Sequence, residues 1–118
     1  MTETPSFVHL HNHSDYSLLD GASKIENIVE IAVSMGMPAV ALTDHGNLFG
    51  VLEFYEKVKK AGIKPLLGCE LYVAPRSRHD RKGKGDHHHL VVLAMNQEAV
   101  ISVIDPMVDV AGMTNLFG

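Results

Sequence analysis

Three histidines alternate with other residues near the start of the chain, in the run His9-Leu10-His11-Asn12-His13. Histidine is the commonest metal ligand among side chains, and the chain has 8 histidines but no tryptophan. Because alternate side chains of an extended segment point to the same side, the three imidazoles are predicted to share one side. The alternative interpretation is a histidine-rich strand end that faces water.

Two acidic residues and a further histidine follow or interrupt apolar runs later in the chain. Asp44 and His45 come directly after the run 39–43, and Glu70 interrupts the apolar stretch 66–73. A carboxylate buried alone among apolar residues is unfavourable, so Glu70 requires a cation, a metal or solvent. Two alternatives stay open: Asp44 caps a following helix, or Glu70 lies at a sheet edge that faces water.

Asp20 and His89 complete the candidate set. Asp20 belongs to the Leu-Leu-Asp-Gly sequence at 18–21, where it is either a metal ligand or a turn residue. His89 directly precedes the apolar run 90–95, a predicted strand. In a strictly parallel sheet the start of this strand would lie on the rim opposite the other candidates. Either that strand is antiparallel to the one before it, or His89 is not a ligand.

Imidazole and carboxylate ligands together suit zinc, manganese or iron. Several of each indicate more than one ion. Neighbouring ions can activate water and stabilise both the attacking and the leaving oxygen of a phosphate ester. The residues themselves therefore predict a metal-dependent hydrolase, most specifically a phosphoesterase.

Strands that alternate with helices must position these residues. Strands are predicted at 7–10, 39–43, 64–73 and 90–95. Ser23 and Glu26 have the spacing of a capping box at a helix start, and Gly36 fits the end of that helix. The apolar face of this first helix is predicted to contain Ile25, Ile28, Val29, Ala32 and Met35.

A second helix is predicted between the second and third strands, ending at Gly62. Its apolar face is predicted to contain Leu48, Val51, Leu52, Tyr55 and Val58. Strand and helix in alternation indicate an α/β fold with parallel strands, either open or a barrel. Functional residues in such folds gather at the carboxyl ends of the strands.

Composition narrows the class of protein. The 118 residues suffice for one small domain, and 46% hydrophobic residues allow a packed core. The formal net charge of -4 gives no overall attraction to nucleic acid. A single cysteine excludes an intramolecular disulfide, and no stretch approaches the roughly 20 apolar residues of a spanning helix. We expect a cytoplasmic protein with no membrane partner and no signal peptide.

One loop departs from the acidic balance of the chain. Between residues 76 and 84 five basic side chains accompany a single acidic one, Asp80. Such a loop can attract a phosphate backbone. The candidates for contact with phosphate or DNA are Arg76, Arg78, Arg81, Lys82 and Lys84.

Several stretches, taken in order, resemble the PHP (polymerase and histidinol phosphatase) domain of bacterial DNA polymerase III alpha subunits. They are residues 7–22, 36–39, 43–47, 62–65 and 68–75, and the likeness runs to about residue 100. The Leu-His-x-His motif alone indicates only the wider superfamily. The Tyr-Ser-Leu-Leu-Asp-Gly and Gly-Ile-Lys-Pro stretches are typical of the replicative polymerase branch.

The resemblance implies a partial (βα)7 barrel with parallel strands, flanking helices and a cluster of zinc or manganese ions, more than one in the complete domain. By position, it implies that the metal ligands are His11, His13, Asp20, His45, Glu70 and His89. His9 and Asp44 are expected to orient these ligands without binding the metal themselves. Some family members show 3′–5′ exonuclease activity, and others dock a separate exonuclease subunit.

The resemblance also implies a larger parent protein. The later ligands of the family domain have no counterpart here, so residues 1–100 are expected to be its N-terminal part and residues 101–118 a divergent tail. Within the tail, residues 111–118 weakly resemble a sliding-clamp-binding stretch; the alternative is a chance likeness, with Leu116 and Phe117 serving in plain hydrophobic packing. The parent would be a DNA-directed DNA polymerase, a nucleotidyltransferase of DNA replication, with DNA, the exonuclease subunit and the clamp as partners. A stand-alone phosphatase of the histidinol phosphatase type and a non-catalytic docking module are the alternatives.

Overall fold

The computed structural model describes residues 6–17, 20–77, 79 and 87–100. Its elements are α1 (Ile25–Ser34), β1 (Ala39–Leu42), α2 (Val51–Lys60), β2 (Lys64–Val73) and β3 (His88–Leu93). Residues 97–100 are also helical. The predicted tail, residues 101–118, lies outside the described residues.

The three strands form one sheet with β2 in the middle. β1 runs parallel to β2, with Ala39 opposite Lys64, as expected for two strands joined by the α2 crossover. β3 runs antiparallel to β2, with Tyr72 opposite His89. β3 also begins and ends two residues earlier than predicted, which places His89 inside the strand.

The predicted strand at 7–10 is not a regular strand, and that prediction was wrong. The segment nevertheless runs beside β1, because His9 and Asn12 carbonyls accept hydrogen bonds from the amides of Ala41 (3.0 Å) and Thr43 (2.9 Å). The two accepting carbonyls are three residues apart, whereas the two donating amides are two residues apart. This mismatch in spacing prevents a regular ladder of hydrogen bonds. The segment still brings the histidine run to the sheet.

α1 starts later than the capping box predicted. Lys24 is the N-cap residue and makes no side-chain cap hydrogen bond, while the Ser23 carbonyl accepts from the Asp15 amide at 2.9 Å. Ser23 is thus engaged by the preceding loop instead of the helix. Met35, predicted on the apolar face, is 63% exposed. The predicted end at Gly36 is confirmed by its φ of 68°.

The face that α2 presents to the core overlaps with the predicted one only in part. Val58, which was predicted, and Phe54, which was not, are fully buried, whereas Leu52 and Tyr55 are 69% and 42% exposed. Two apolar stripes compete on this helix, and contact with α1 and the sheet selects the one that contains Phe54. The helix ends before Gly62, as predicted, where φ is 81°.

One hydrophobic core lies between the two helices and the sheet. Its buried members are Ile25, Val29, Ala32, Met37, Val40, Leu42, Phe54 and Val58. At the surface, Lys57 of α2 contacts Glu26 of α1 at 2.6 Å and Glu53 of its own helix at 2.9 Å. These hydrogen bonds raise the pKa of Lys57 to about 12. Among the described residues, no helix is long and apolar enough to cross a membrane.

Candidate metal centre

Glu70 lies at the centre of the histidine cluster. Its Oε2 atom is 2.8 Å from His11 Nε2, 2.6 Å from His13 Nε2 and 3.3 Å from His45 Nε2. Its Oε1 atom is 3.1 Å from His89 Nδ1. Since β2 is the middle strand and Glu70 is only 6% exposed, the alternative of a water-facing sheet edge is wrong.

The surroundings of Glu70 keep its carboxylate ionised. Burial opposes the charge, but hydrogen bonds from His11 and His13, together with the nearby His45, outweigh it and lower the pKa of Glu70. The partner that a buried carboxylate requires is therefore supplied by imidazoles. An ionised carboxylate is also the form that binds a metal ion.

Asp20 connects two of the same histidines. Its Oδ2 atom lies 2.6 Å from His45 Nε2 and 3.0 Å from His13 Nδ1, and its Oδ1 atom accepts from the Ser17 hydroxyl at 2.8 Å. Burial opposes ionisation, but the Ser17 hydrogen bond and the two histidines lower the pKa of Asp20. The Asp20 amide also closes a turn onto the Ser17 carbonyl, so the turn interpretation is confirmed, and metal ligation by Asp20 stays a prediction.

His45 follows β1 and is held by its backbone. Its amide donates to Ser17 Oγ at 3.1 Å, and its ring stacks on Tyr72 with centroids 5.9 Å apart. Its Nδ1 atom is buried without a hydrogen-bond partner in the described part of the chain. Gly46, at φ 60°, lets the chain turn next to Tyr72, where a Cβ would come within 2.9 Å of the ring.

His89 joins the cluster because β3 is antiparallel. Opposite Tyr72 in the register, His89 lies at the rim formed by the carboxyl ends of β1 and β2. The antiparallel alternative raised by the sequence is the one that the structure shows. The apolar pattern of the sequence could not show whether His89 reaches the cluster, because that depends on the direction of β3.

The six predicted ligands form three overlapping groups whose donor atoms lie within 4.8 Å of one another. They are His11, His13 and Glu70; His13, Asp20 and His45; and His45, Glu70 and His89. Four imidazoles and two ionised carboxylates are a donor set that fits zinc, manganese or iron. The sharing of members between groups allows more than one ion.

The two residues expected to support the ligands differ: His9 lies away from the cluster, whereas the Asp44 carbonyl accepts a hydrogen bond from the Glu70 amide at 3.0 Å. The His9 ring packs edge-on against Phe7 at 4.8 Å, and the structure does not bring it to the cluster. Asp44 is buried and accepts hydrogen bonds from the amide (2.6 Å) and the hydroxyl (2.7 Å) of Ser14. Because α2 begins only at Val51, Asp44 does not cap it.

Of the predicted basic contacts, only Arg76 is described, and it is exposed. Arg78, Arg81, Lys82 and Lys84 lie outside the described residues. Their proposed contact with phosphate therefore remains a prediction from the sequence.

Two residues of the site escaped the sequence argument. Tyr72 packs on His45 and lies 5.2 Å from the His89 ring; burial, followed by the charges of Asp20 and Glu70, raises its pKa. Strand alternation was the available signal, since Tyr72 follows Glu70 by two positions and shares its face. Ser17 carried no comparable signal, because its contacts depend on the path of a loop.

The sequence matches the PHP domain family over residues 9–106. It is 56% identical over 96 residues to the DNA polymerase III alpha subunit of Treponema pallidum, covering 78% of this chain and 8% of that protein. It is 48% identical over 106 residues to the alpha subunit of Mycobacterium tuberculosis strain H37Rv, covering 77% and 9%. The chain thus spans less than a tenth of these curated relatives.

Two solved structures share the fold. One is an amidohydrolase from Chromobacterium violaceum with bound sulfate and no metal (TM-score 0.58, 24% identity, 82% of this chain and 32% of that one). The other, from Bifidobacterium adolescentis, was assigned as a metal-dependent phosphoesterase (TM-score 0.58, 22% identity, 87% and 34%). The predicted α/β fold class is confirmed, and the described sheet corresponds to part of these larger folds.

Proposed function

The chain belongs to the PHP domain family, and we propose on that premise that it is the PHP portion of a bacterial replicative DNA polymerase III alpha subunit. Identities of 56% and 48% to curated alpha subunits carry this proposal. Polymerisation of deoxynucleotides on DNA is then the activity of the parent protein. Its proposed partners are DNA, a proofreading exonuclease subunit and the sliding clamp, and its proposed location is the cytoplasm.

The second part of the proposal is that the Glu70 cluster holds divalent ions, zinc or manganese, and cleaves phosphoesters. Six side chains would hold the ions: His11, His13, Asp20, His45, Glu70 and His89. When bound, such ions activate water and stabilise charge on phosphate oxygens. Convergence of four imidazoles on the two oxygens of one buried carboxylate is the observation that supports this proposal.

Exposure differs across the cluster in a way that suits a substrate approaching from one side. The side chains of His13, His45 and Glu70 are 19%, 15% and 8% exposed. Those of His11 and His89 are 53% and 44% exposed. The buried residues would orient the site, and the exposed imidazoles would face the phosphoester.

Metal content and cleavage test this function in two variants matched in chemistry. Glu70→Gln removes the central charge, whereas Glu56→Gln makes the same change at an exposed position of α2. We expect zinc or manganese to co-purify with the wild type and with Glu56→Gln, and to be lost from Glu70→Gln. Failure of the wild-type chain to retain either metal after reconstitution would contradict metal binding.

In the polymerase that carries this chain, the same pair separates the two activities. Glu70→Gln should abolish metal-dependent 3′–5′ cleavage of single-stranded DNA but spare DNA synthesis, because the two reactions use different sites. Efficient hydrolysis of histidinol phosphate by the chain would favour the stand-alone phosphatase instead. Metal-free protein without cleavage would favour a docking module.

A further inference from the structure

The hydroxyl of Ser17 lies between two members of the metal cluster. Ser17 is 1% exposed. Its Oγ atom is 2.8 Å from Asp20 Oδ1 and 3.1 Å from the His45 amide nitrogen. One buried hydroxyl therefore contacts the side chain of one proposed ligand and the backbone of another.

The direction of these hydrogen bonds is fixed by their chemistry. A serine hydroxyl has a single hydrogen and two lone pairs. The His45 amide can only donate, so Ser17 accepts there. The single hydroxyl hydrogen is then available to the ionised carboxylate of Asp20, which can only accept.

The Ser17 hydrogen bond also decides which oxygen of Asp20 faces the histidines. Oδ1 is bound by Ser17, and Oδ2 is left to contact His45 Nε2 and His13 Nδ1. The Asp20 side chain is 41% exposed, so little else packs against it. Without the hydroxyl, the carboxylate would keep only the two histidine contacts of Oδ2 and could rotate about them.

The backbone around Ser17 is itself held in place. The Ser17 amide donates to the Ser14 carbonyl at 2.9 Å, and the Ser17 carbonyl accepts from the amides of Asp20 (3.1 Å) and Gly21 (2.8 Å). Ser14 is anchored in turn by two hydrogen bonds to the buried Asp44 carboxylate. The hydroxyl is thus presented from a well-connected loop.

We propose that Ser17 is a positioning residue of the metal centre, whose hydroxyl holds the Asp20 carboxylate and the His45 loop in register for a shared ion. The inference rests on the proposed function, because the group formed by His13, Asp20 and His45 is proposed to bind metal. Residues that orient metal ligands through hydrogen bonds typically contribute about 10- to 100-fold to metal affinity.

Ser14 provides the matched control. Both serines are buried in the same loop, at 0% and 1% exposure, and each hydroxyl donates to one carboxylate. The partner of Ser14 is Asp44, which is not a proposed ligand. A general weakening of the loop should affect both alanine variants alike, whereas a positioning role should single out Ser17.

The experiment compares the full chain as wild type, Ser17→Ala and Ser14→Ala. Zinc affinity is measured by competition with a chromophoric chelator, and Co²⁺ absorption reports on the ligand geometry. Ser17→Ala should bind zinc about 10- to 100-fold more weakly and should alter the Co²⁺ spectrum. Ser14→Ala should lower the unfolding temperature, but because the Ser14 amide keeps its hydrogen bond to Asp44, the folded protein should lose clearly less zinc affinity than Ser17→Ala.

A second measurement needs no metal. The His45 amide, which donates to Ser17 Oγ, should exchange with deuterium faster in metal-free Ser17→Ala than in wild type or Ser14→Ala. Wild-type zinc affinity in Ser17→Ala, an equal loss in both variants, or unchanged His45 exchange would each overturn the positioning role. If the wild type itself binds no metal, the proposed function fails, and this inference fails with it.

Discussion

At the scale of single residues, Glu70 and Asp20 determine how the site should respond to acid. The pKa values of both carboxyls lie below their ordinary range, so both stay ionised well below neutral pH. The imidazoles, in contrast, must be neutral to bind a metal, so protons compete with the ion for their ring nitrogens. Loss of metal on mild acidification should therefore come from this competition and not from the two carboxylates.

We expect zinc affinity to fall as the pH is lowered from neutral, because protons compete with the ion for the imidazole ligands. Chelator competition across this range, with the chelator calibrated at each pH, measures the effect. Affinity that does not change on acidification until the carboxylates are protonated would contradict ligation by the histidines.

Gly21 gives a second prediction at this scale. A Cβ at this position would collide with the carbonyl of Ser14, whereas one at Gly36 would meet nothing within 4 Å and would suffer only from the positive φ of 68°. Gly36→Ala should destabilise by about 1 kcal/mol. Gly21→Ala should destabilise by at least about 2 kcal/mol, because the loop must move.

Thermal unfolding of the two glycine variants and the wild type compares these effects. Because the loop that contains Gly21 also carries Ser17 and Asp20, Gly21→Ala should weaken zinc binding, and Gly36→Ala should not. Equal stability of the two variants would contradict the close packing of this loop.

The candidate site was predictable where chemistry and strand position agreed. A buried carboxylate such as Glu70 needs a partner. Its position in an apolar strand indicated that this partner lies within the protein. Alternation by itself could not distinguish His9 from His11 and His13, since all three alternate along one segment, and only the family resemblance separated them. The irregular pairing beside β1, rather than residue type, leaves His9 against Phe7.

At the scale of elements, α2 offers a direct comparison between the predicted and the observed face. Phe54 is 0% exposed and Leu52 is 69% exposed, although the sequence pattern favoured Leu52. Phe54→Ala should destabilise the fold by about 3–5 kcal/mol, because it leaves a cavity in the core. Leu52→Ala should change stability by no more than about 0.5 kcal/mol.

Chemical denaturation of both α2 variants tests this assignment. The reverse order of effects would show that α2 is rotated relative to the structure. Circular dichroism of each variant is the control that the helices themselves remain formed.

Helix and strand positions followed from apolar runs and from glycines, but the relations between elements did not. The choice between two stripes on α2 depends on contact with α1 and the sheet. The direction of β3 depends on how the chain returns after β2, and apolar periodicity carries no information about direction. Only that direction makes His89 a neighbour of Glu70.

At the scale of the whole molecule, the described sheet has an unpaired side. Within the described residues, β1 is flanked by residues 9–12 and β2 by both neighbours, but the outer edge of β3 has no partner. Leu90 on this strand is 51% exposed. The matched part of this chain covers about a third of each of the two solved structures of similar fold. An apolar strand edge of this kind is a template for pairing with another chain.

We therefore expect the chain on its own to self-associate through β3 as its concentration rises. A lysine on an edge strand opposes such pairing, because the approaching strand would have to bury the charge. Leu90→Lys should shift sedimentation velocity profiles towards the monomer. Leu52→Lys, which places the same charge on the exposed face of α2, should leave association unchanged.

If the wild type sediments as a monomer throughout and unfolds cooperatively, the β3 edge does not mediate self-association. If Leu52→Lys alone abolishes association, the exposed face of α2 is the surface through which the chains meet.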